Sequence, residues 1–156
     1  MTPLNSPIEV GVRVVMLLAE GFPSRRGISE LVLLDHALIH SGDMDGPPSL
    51  HPPLPTRVGE LGFKRAAIET ALELVQRADL VESEAAPVGI VYVATDEAAS
   101  FIAHLASPYA LDLRSRARWA ADRFQELDEA ELRREMNATF ARWSEEFTHP
   151  VGDWSP

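Results

Sequence analysis

Residues 40–55 read HSGDMDGPPSLHPPLP, and five of the nine positions from Pro47 to Pro55 are proline. Each proline fixes φ and removes a backbone donor, so this segment can form neither a helix interior nor a central strand. The connection is long for a compact domain, and long ordered loops are usually functional or packed as Ω-loops. The segment therefore predicts a loop over residues 41–57 that separates two helices.

Helical patterns flank this loop on both sides. Ser6-Pro7-Ile8-Glu9 combines an N-cap residue, a first-turn proline and the glutamate of a capping box, which predicts a helix that runs to about Glu20. Its few polar positions form one narrow stripe, so most of its surface is expected to be buried. Apolar spacing predicts a second helix over residues 28–41, ended by Gly42, and a third over residues 58–78.

Beyond the third helix the apolar period changes from that of a helix to that of a strand. Leu80-Val81-Glu82 and Ile90-Val91-Tyr92-Val93 predict two short strands around a turn. Thr95 is a typical N-cap residue and starts a further helix, which we expect Pro108 to end.

The C-terminal third predicts further helix. Its apolar positions recur at alternating steps of three and four: Leu113, Ala117, Ala120, Phe124, Leu127, Leu132, Met136, Phe140, Trp143 and Phe147. Asp128 and Glu131 form a second capping-box pattern, so one bent helix and a helical hairpin both fit the sequence.

The order helix, helix, long loop, helix, hairpin, helix is that of a winged helix-turn-helix. We therefore predict a mainly α fold with a small β-hairpin wing and a C-terminal helical extension. The winged-helix domain would cover residues 1–107 with its proline-rich loop at 41–57, the helical extension or hairpin residues 108–149, and a flexible tail residues 150–156.

Composition excludes several classes of protein. The 156 residues carry a formal net charge of -10 and include no cysteine, so disulfides, thiolate zinc sites and cysteine nucleophiles are ruled out. The longest apolar run, from Val14 to Ala19, is far shorter than the ~20 residues that span a bilayer. A cytoplasmic protein without a membrane contact is expected.

The charge pattern does not favour DNA reading by the third helix. Four basic residues between Arg57 and Asp79 are balanced by four acidic ones, and the wing carries Glu82 and Glu84 with no basic residue. DNA-reading helices present arginine or lysine to phosphates, so a protein-docking scaffold is favoured. One basic segment remains, and its candidate nucleic-acid contacts are Arg114, Arg116, Arg118 and Arg123.

The histidines are the remaining candidates for chemistry. His36 and His40 stand four residues apart and His51 follows in the loop, a spacing that can bind zinc but is more often structural. The sequence contains no HExxH motif, no GxSxG nucleophile and no glycine-rich phosphate loop. We therefore predict neither catalysis, nor a metal site, nor a cofactor; a small metal-dependent hydrolase built on these histidines is the least favoured alternative.

Several short blocks resemble the middle component of the bacterial ABC-type three-component conflict systems, a group related to Lamassu anti-phage defence. The resemblance covers residues 5–124, and its most specific block is Ser49-Leu50-His51-Pro52-Pro53-Leu54-Pro55. The other blocks are Asn5-Ser6-Pro7-Ile8-Glu9-Val10-Gly11 with Arg13, Leu34-Asp35, His40-Ser41-Gly42-Asp43, Gly59-Glu60-Leu61, Tyr92-Val93-Ala94-Thr95 and Ser107-Pro108-Tyr109.

The resemblance implies a small winged-helix protein without catalytic residues, encoded beside an SMC- or Rad50-like ABC ATPase and an effector that is often a nuclease. Such a subunit would dock on or regulate the ATPase and couple it to the effector, and any DNA contact would occur within the complex. The alternative is a homodimeric winged-helix transcription regulator, which should bind a palindromic site by itself. The candidate partner-binding residues are His40, Asp43, Leu50, His51, Pro52, Pro53, Leu54, Arg57, Glu60, Trp119, Trp143 and Phe147.

Overall fold

The computed structural model describes the backbone of residues 6–51 and 57–139 and, except for residues 57–62, their side chains. It is mainly helical with one small antiparallel sheet, as the sequence predicted. Its helices are α1 (Pro7–Glu20), α2 (Ile28–Ile39), α3 (Arg57–Arg77), α4 (Asp96–Ala103), α5 (Pro108–Phe124) and a further helical segment over residues 129–139. Its strands are β1 (Val81–Ala86) and β2 (Gly89–Ala94), and a short 3-10 turn covers Ser41–Met44.

The first helix begins as its capping motif predicts. The Ser6 Oγ accepts a hydrogen bond from the Glu9 amide at 3.2 Å, and Pro7 occupies the first turn. α1 packs against α2, α3, α4 and α5, which confirms the prediction of a helix buried on most sides. Gly11 permits this packing, because a Cβ there would lie only 3.1 Å from a methyl group of Val75.

The predicted end of the second helix is wrong. α2 ends at Ile39, with His40 as its C-cap, and Gly42 lies inside the following 3-10 turn. The chain tightens there because the Asp43 amide donates to the His40 carbonyl at 3.0 Å, an i to i+3 bond.

The role assigned to Pro108 is also wrong. α4 already ends at Ala103, and Pro108 is the first residue of α5. The Ser107 Oγ caps α5 by accepting a hydrogen bond from the Ala110 amide at 3.1 Å. Proline suits the first turn of a helix because its missing N–H would have no partner there.

The capping-box pattern near the C-terminus is confirmed. The Asp128 carboxylate accepts from the Glu131 amide at 2.9 Å, and the Glu131 carboxylate accepts from the Asp128 amide at 3.3 Å. α5 and the segment over residues 129–139 are thus two helices joined by a short turn. Residues 140–156, which include the predicted tail, lie outside the described residues.

The two strands pair in the predicted hairpin, with Val81 opposite Ala94 and Ala86 opposite Gly89. The segment before α2 adds one more bridge, because the Arg26 and Tyr92 backbones exchange hydrogen bonds of 3.0 and 2.8 Å. Side chains from every helix meet in one core, and the apolar stripes predicted for α5 and for the segment after it contribute Leu113, Ala117, Ala120, Phe124, Leu132 and Met136. Among the described residues, no helix is both long enough and apolar enough to cross a bilayer.

Candidate functional site

A buried ion cluster joins the first three helices. The Asp35 carboxylate on α2 accepts two hydrogen bonds from Arg13 on α1, at 2.7 and 3.2 Å. Its second oxygen also accepts from the Lys64 ammonium on α3 at 2.7 Å. All three side chains are buried, and Glu9, at 4.0 Å from Arg13, adds a partly exposed carboxylate at the edge of the cluster. Asp35 therefore fixes the relative position of three helices.

The electrostatics of this cluster favour the ionised carboxylate. Burial alone would raise the pKa of Asp35, but the charges of Arg13 and Lys64 outweigh it and hold that pKa well below its ordinary value of 3.8. The stabilisation from Asp35 is thus fully present above its ordinary pKa, and is lost only as the pH falls further into the acid range.

Sequence reasoning missed these three residues as a group. Arg13 was placed on the polar stripe of α1, yet its side chain is only 1% exposed. Two signals pointed to the cluster: Asp35, together with His36, interrupts the apolar run of α2, and Lys64 is the only lysine of the chain. A buried acid requires a cation nearby, but the pattern does not say which one.

The described part of the proline-rich loop is a closed turn pinned to its own base. The Ile39 carbonyl accepts hydrogen bonds from both the Leu50 and His51 amides at 3.1 Å, so the chain returns to the end of α2. Inside the loop, the Ser41 hydroxyl donates to the Pro47 carbonyl at 2.7 Å, and the Ser49 hydroxyl accepts from the Gly42 amide at 2.9 Å. This geometry fits the Ω-like packing that the sequence predicted.

Helix α5 holds the same loop from outside. The Arg116 guanidinium donates two hydrogen bonds to the Pro48 carbonyl, at 2.9 and 3.0 Å. Gly46 lies directly on the Trp119 indole, where an added Cβ would come within 2.3 Å of a ring carbon. His51 Nε2 and the Tyr109 hydroxyl form a hydrogen bond of 3.0 Å.

Gly46→Ala should loosen this attachment, because the new methyl group cannot fit against Trp119. We expect a loss of about 1–3 kcal/mol in the free energy of unfolding, as for an overpacked core. The measurement is urea unfolding, with amide hydrogen exchange at Leu50 and His51 as a local readout. In a Trp119→Phe background the smaller ring should remove most of the effect, and an equal loss in both backgrounds would contradict the steric explanation.

The histidines form a row below the loop. The ring centroids of His36 and His40 are 4.7 Å apart, and those of His40 and His51 are 6.3 Å apart. Burial, followed by the positive charges of Arg13 and its neighbours, lowers the pKa of His51 from 6.5 to about 4. Within the described residues, no group of three or more histidine or carboxylate side chains is arranged to hold a metal ion.

The depressed pKa of His51 predicts an acid-labile fold. The unfolded chain takes up the proton before the folded one does, so this part of the stability is present above pH 6.5 and is lost as the pH falls to about 4. His51→Gln keeps a partner for Tyr109 without the charge, and should lose less stability than wild type across that range in urea unfolding. An unchanged slope for His51→Gln would contradict the assignment.

The structure places the predicted partner-binding residues in different settings. His40 and His51 are buried, whereas Asp43, Leu50 and Trp119 are half-buried. The backbone of Arg57 and Glu60 lies in α3, but their side chains are outside the description. Five further candidates lie outside the described residues: Pro52, Pro53, Leu54, Trp143 and Phe147. Partner binding by all of them stays a prediction.

The four candidate nucleic-acid arginines already have acceptors within the protein. Arg114 and Arg118 both donate to the Glu20 carboxylate, at 3.0 and 3.4 Å. Arg123 pairs with Glu135 at 3.3 Å, and Arg116 binds the loop carbonyl described above. These contacts reduce the free positive charge of the patch, and its role toward nucleic acid stays a prediction.

A second arginine missed by sequence reasoning closes the fold. Arg26 is buried and donates to three carbonyls at the end of α5 and beyond it: Phe124 at 3.0 Å, Gln125 at 3.4 Å and Leu127 at 2.8 Å. It also pairs with Glu30 at 2.6 Å. This arrangement joins the segment before α2 to the end of α5. No local sequence pattern around Arg26 or around its acceptors predicts the contact.

The described residues thus define a small, mainly helical protein with a β-hairpin, whose charged side chains hold its helices and its proline-rich loop together. Its family follows from comparison with known proteins. The model of the family "ABC-three component (ABC-3C) system Middle Component 2" matches residues 3–146, and the chain belongs to that family. This confirms the middle-component part of the resemblance and implies partners within a multi-component system. Neither the curated proteins nor the solved structures gave a match.

Proposed function

We propose that this protein is a non-catalytic accessory subunit of a bacterial anti-phage defence complex related to the Lamassu systems. It docks on or regulates an SMC-like ABC ATPase and couples that ATPase to an effector, often a nuclease. The observation that carries the proposal is the family match over residues 3–146, nearly the whole chain.

The order of elements supports a winged-helix assignment. α1 is followed by the bridge at Arg26, then α2 and α3, and then the hairpin of β1 and β2. A third helix followed by a two-stranded wing is the arrangement of winged helices, which serve as DNA readers in some proteins and as docking modules in others.

The use of the buried polar groups supports a non-catalytic role. The Asp35 carboxylate is held by two cations, and His51 is bonded to Tyr109 beneath the loop. A general base or nucleophile needs an acceptor or hydroxyl that can reach a substrate. The interior groups described here are instead committed to holding helices together, and any ATP chemistry belongs to the partner.

The charges disfavour the alternative of a DNA-binding regulator. On α3, Arg65 lies 3.5 Å from Glu69, and on the hairpin Glu84 pairs with Arg25. A gel shift with the isolated protein distinguishes the two functions, since sequence-specific binding that survives moderate salt is the property of a regulator.

The proposal is tested by the ATP hydrolysis rate of the ATPase encoded beside this protein. We expect the isolated chain to hydrolyse no ATP and its addition to the purified ATPase to change the rate at saturating ATP. A bovine serum albumin control excludes a nonspecific effect of added protein. An unchanged rate, together with no binding between the two proteins, would contradict the proposal.

A further inference from the structure

The proline-rich loop is attached to one face of α5. Tyr109, Arg116 and Trp119 stand seven and three residues apart, a spacing that places them on the same side of the helix. Of the groups in their contacts with the loop, only the His51 imidazole gains a proton as the pH falls from neutral into the acid range. The contacts are His51 with Tyr109, the Pro48 carbonyl with Arg116, and Gly46 with Trp119.

Few side chains anchor the loop in the core. Within residues 42–50, Met44 is the one side chain that belongs to the core, and Leu50 packs half-buried against it. The other attachments of residues 45–51 are hydrogen bonds and the packing of Gly46. Segments with few buried apolar contacts open locally at a lower free-energy cost than the whole domain unfolds. Residues 45–51 can therefore separate from α5 while Met44 and the helices stay in place.

The His51 imidazole is buried beside two cations. Asp35 is already shared by Arg13 and Lys64, and Glu9 lies partly exposed at the edge of the cluster. A proton on His51 would thus add a third cation to a group with one buried carboxylate, and both burial and repulsion oppose it. The charged and titratable neighbours of His51 in the described structure come from four helices: Arg13 from α1, Asp35 and His40 from α2 and its end, Lys64 from α3 and Tyr109 from α5.

The hydrogen bond to Tyr109 does not offset this charge. A tyrosine hydroxyl donates to a neutral imidazole and accepts from an imidazolium, so the bond fits both forms of His51. Burial, followed by the influence of Glu9, raises the pKa of Tyr109 to about 12, so the hydroxyl stays neutral. The imidazolium therefore gains its hydration only when the loop lifts away from α5.

The ion cluster keeps the helices together while the loop opens. Arg13 and Lys64 hold the pKa of Asp35 well below its ordinary value of 3.8. In the released loop His51 is in water and takes up its proton near its ordinary pKa of 6.5. Release of the loop therefore becomes favourable at a higher pH than loss of the Asp35 charge.

We propose that residues 45–51 form an acid-operated latch, in which uptake of a proton by His51 releases this segment from α5 while the helices stay folded. Leu50, a candidate partner contact, lies on the released segment, so the latch controls whether it is held in one position. This latch is independent of the proposed function, because every group in it belongs to the chain itself.

Amide hydrogen exchange of the full chain, followed by NMR between pH 7 and pH 5, tests the latch. The Leu50 and His51 amides both donate to the Ile39 carbonyl and report its release. His51 takes up its proton near pH 6.5 in the released loop and near pH 4 in the attached loop. The protection factors of both amides, corrected for the intrinsic pH dependence of exchange, should therefore fall about 20-fold from pH 7 to pH 5.

A core amide separates local release from unfolding of the domain. The Val14 amide on α1 should have a much larger protection factor than Leu50 throughout this pH range, because it exchanges only when the domain unfolds. Low concentrations of urea should speed exchange at Val14 and leave that at Leu50 nearly unchanged, since urea acts in proportion to the surface exposed.

Two variants identify the group that operates the latch. His51→Gln keeps a polar partner for Tyr109 without a titratable group, so the 20-fold change expected of wild type should disappear. Arg116→Met breaks an attachment that carries no titratable group. It should lower the protection factors of Leu50 and His51 by about threefold at every pH and keep their pH dependence.

Three results would overturn the latch, and two of them need only the wild-type protein. The first is an unchanged protection factor of Leu50 and His51 between pH 7 and pH 5. The second is exchange at Leu50 that equals exchange at Val14 in protection factor and in urea dependence, because the loop would then open only with the whole domain. The third is a pH dependence that persists in His51→Gln, which would assign it to another group.

Discussion

Asp35→Ala is expected to have the largest effect of any single substitution in the described core. It removes the carboxylate that holds Arg13 and Lys64 at 2.7 Å each and leaves two buried cations close together. Breaking a buried ion pair on one side costs about 3–5 kcal/mol, because the remaining charge loses its partner and stays out of water. Since a domain of this size is stable by only ~5–15 kcal/mol, the variant should be largely unfolded or recovered in low yield.

Urea unfolding measures this loss of stability. Two further variants test whether the loss comes from breaking the buried ion cluster. Asp122→Asn changes an exposed aspartate on α5 and should leave the midpoint unchanged. The triple variant Arg13→Met, Asp35→Leu, Lys64→Met replaces the whole cluster by apolar side chains and should recover most of the stability, as buried ion clusters often tolerate. If Asp35→Ala unfolds at the wild-type urea concentration, the cluster does not hold the three helices together.

Arg26→Met is expected to have the second largest effect, a loss of about 3 kcal/mol in the free energy of unfolding. The substitution keeps most of the aliphatic volume but removes the donors to the carbonyls of Phe124, Gln125 and Leu127 and the partner of Glu30. Leaving a buried acceptor without a donor costs more free energy than the hydrogen bond itself contributes.

The neighbouring arginine is a matched control for this prediction. Arg25→Met removes an exposed ion pair with Glu84, and exposed pairs contribute little to stability, so its unfolding midpoint should stay close to that of wild type. Arg26→Lys should have an unfolding midpoint between those of wild type and Arg26→Met, because a single ammonium cannot reproduce the forked donors of the guanidinium. Equal midpoints for Arg25→Met and Arg26→Met would contradict the role of Arg26 at the end of α5.

Local chemistry explains which parts of the fold were predictable. The capping residues Ser6, Thr95 and Asp128 act on backbone groups two or three positions away, so their sequence context contains the whole interaction. The strand-like spacing of apolar residues that predicted β1 and β2 is equally local. Pro108 shows the limit, because a proline can follow one helix or begin the next, and only the cap at Ser107 decides between them.

The candidate site was less predictable because its partners are distant in sequence. The sequence predicts Arg13 as the middle member of a polar stripe with Glu9 and Glu20, although the carboxylate that holds its buried side chain is Asp35 on another helix. The basic segment of α5 shows the same difficulty. Arg114 and Arg118 look free in the sequence, yet both share Glu20 at the far end of α1. Long-range pairing of this kind depends on the packing of helices and not on spacing.

Co-expression with the proposed ATPase and effector components, followed by native mass measurement of the purified assembly, tests the central claim most directly. The claim that this chain is an accessory subunit predicts a complex that contains the ATPase, the effector and this protein, and loss of the effector from the ATPase when this protein is omitted. Recovery of this chain alone as a homodimer, with ATPase and effector assembling normally without it, would contradict that claim.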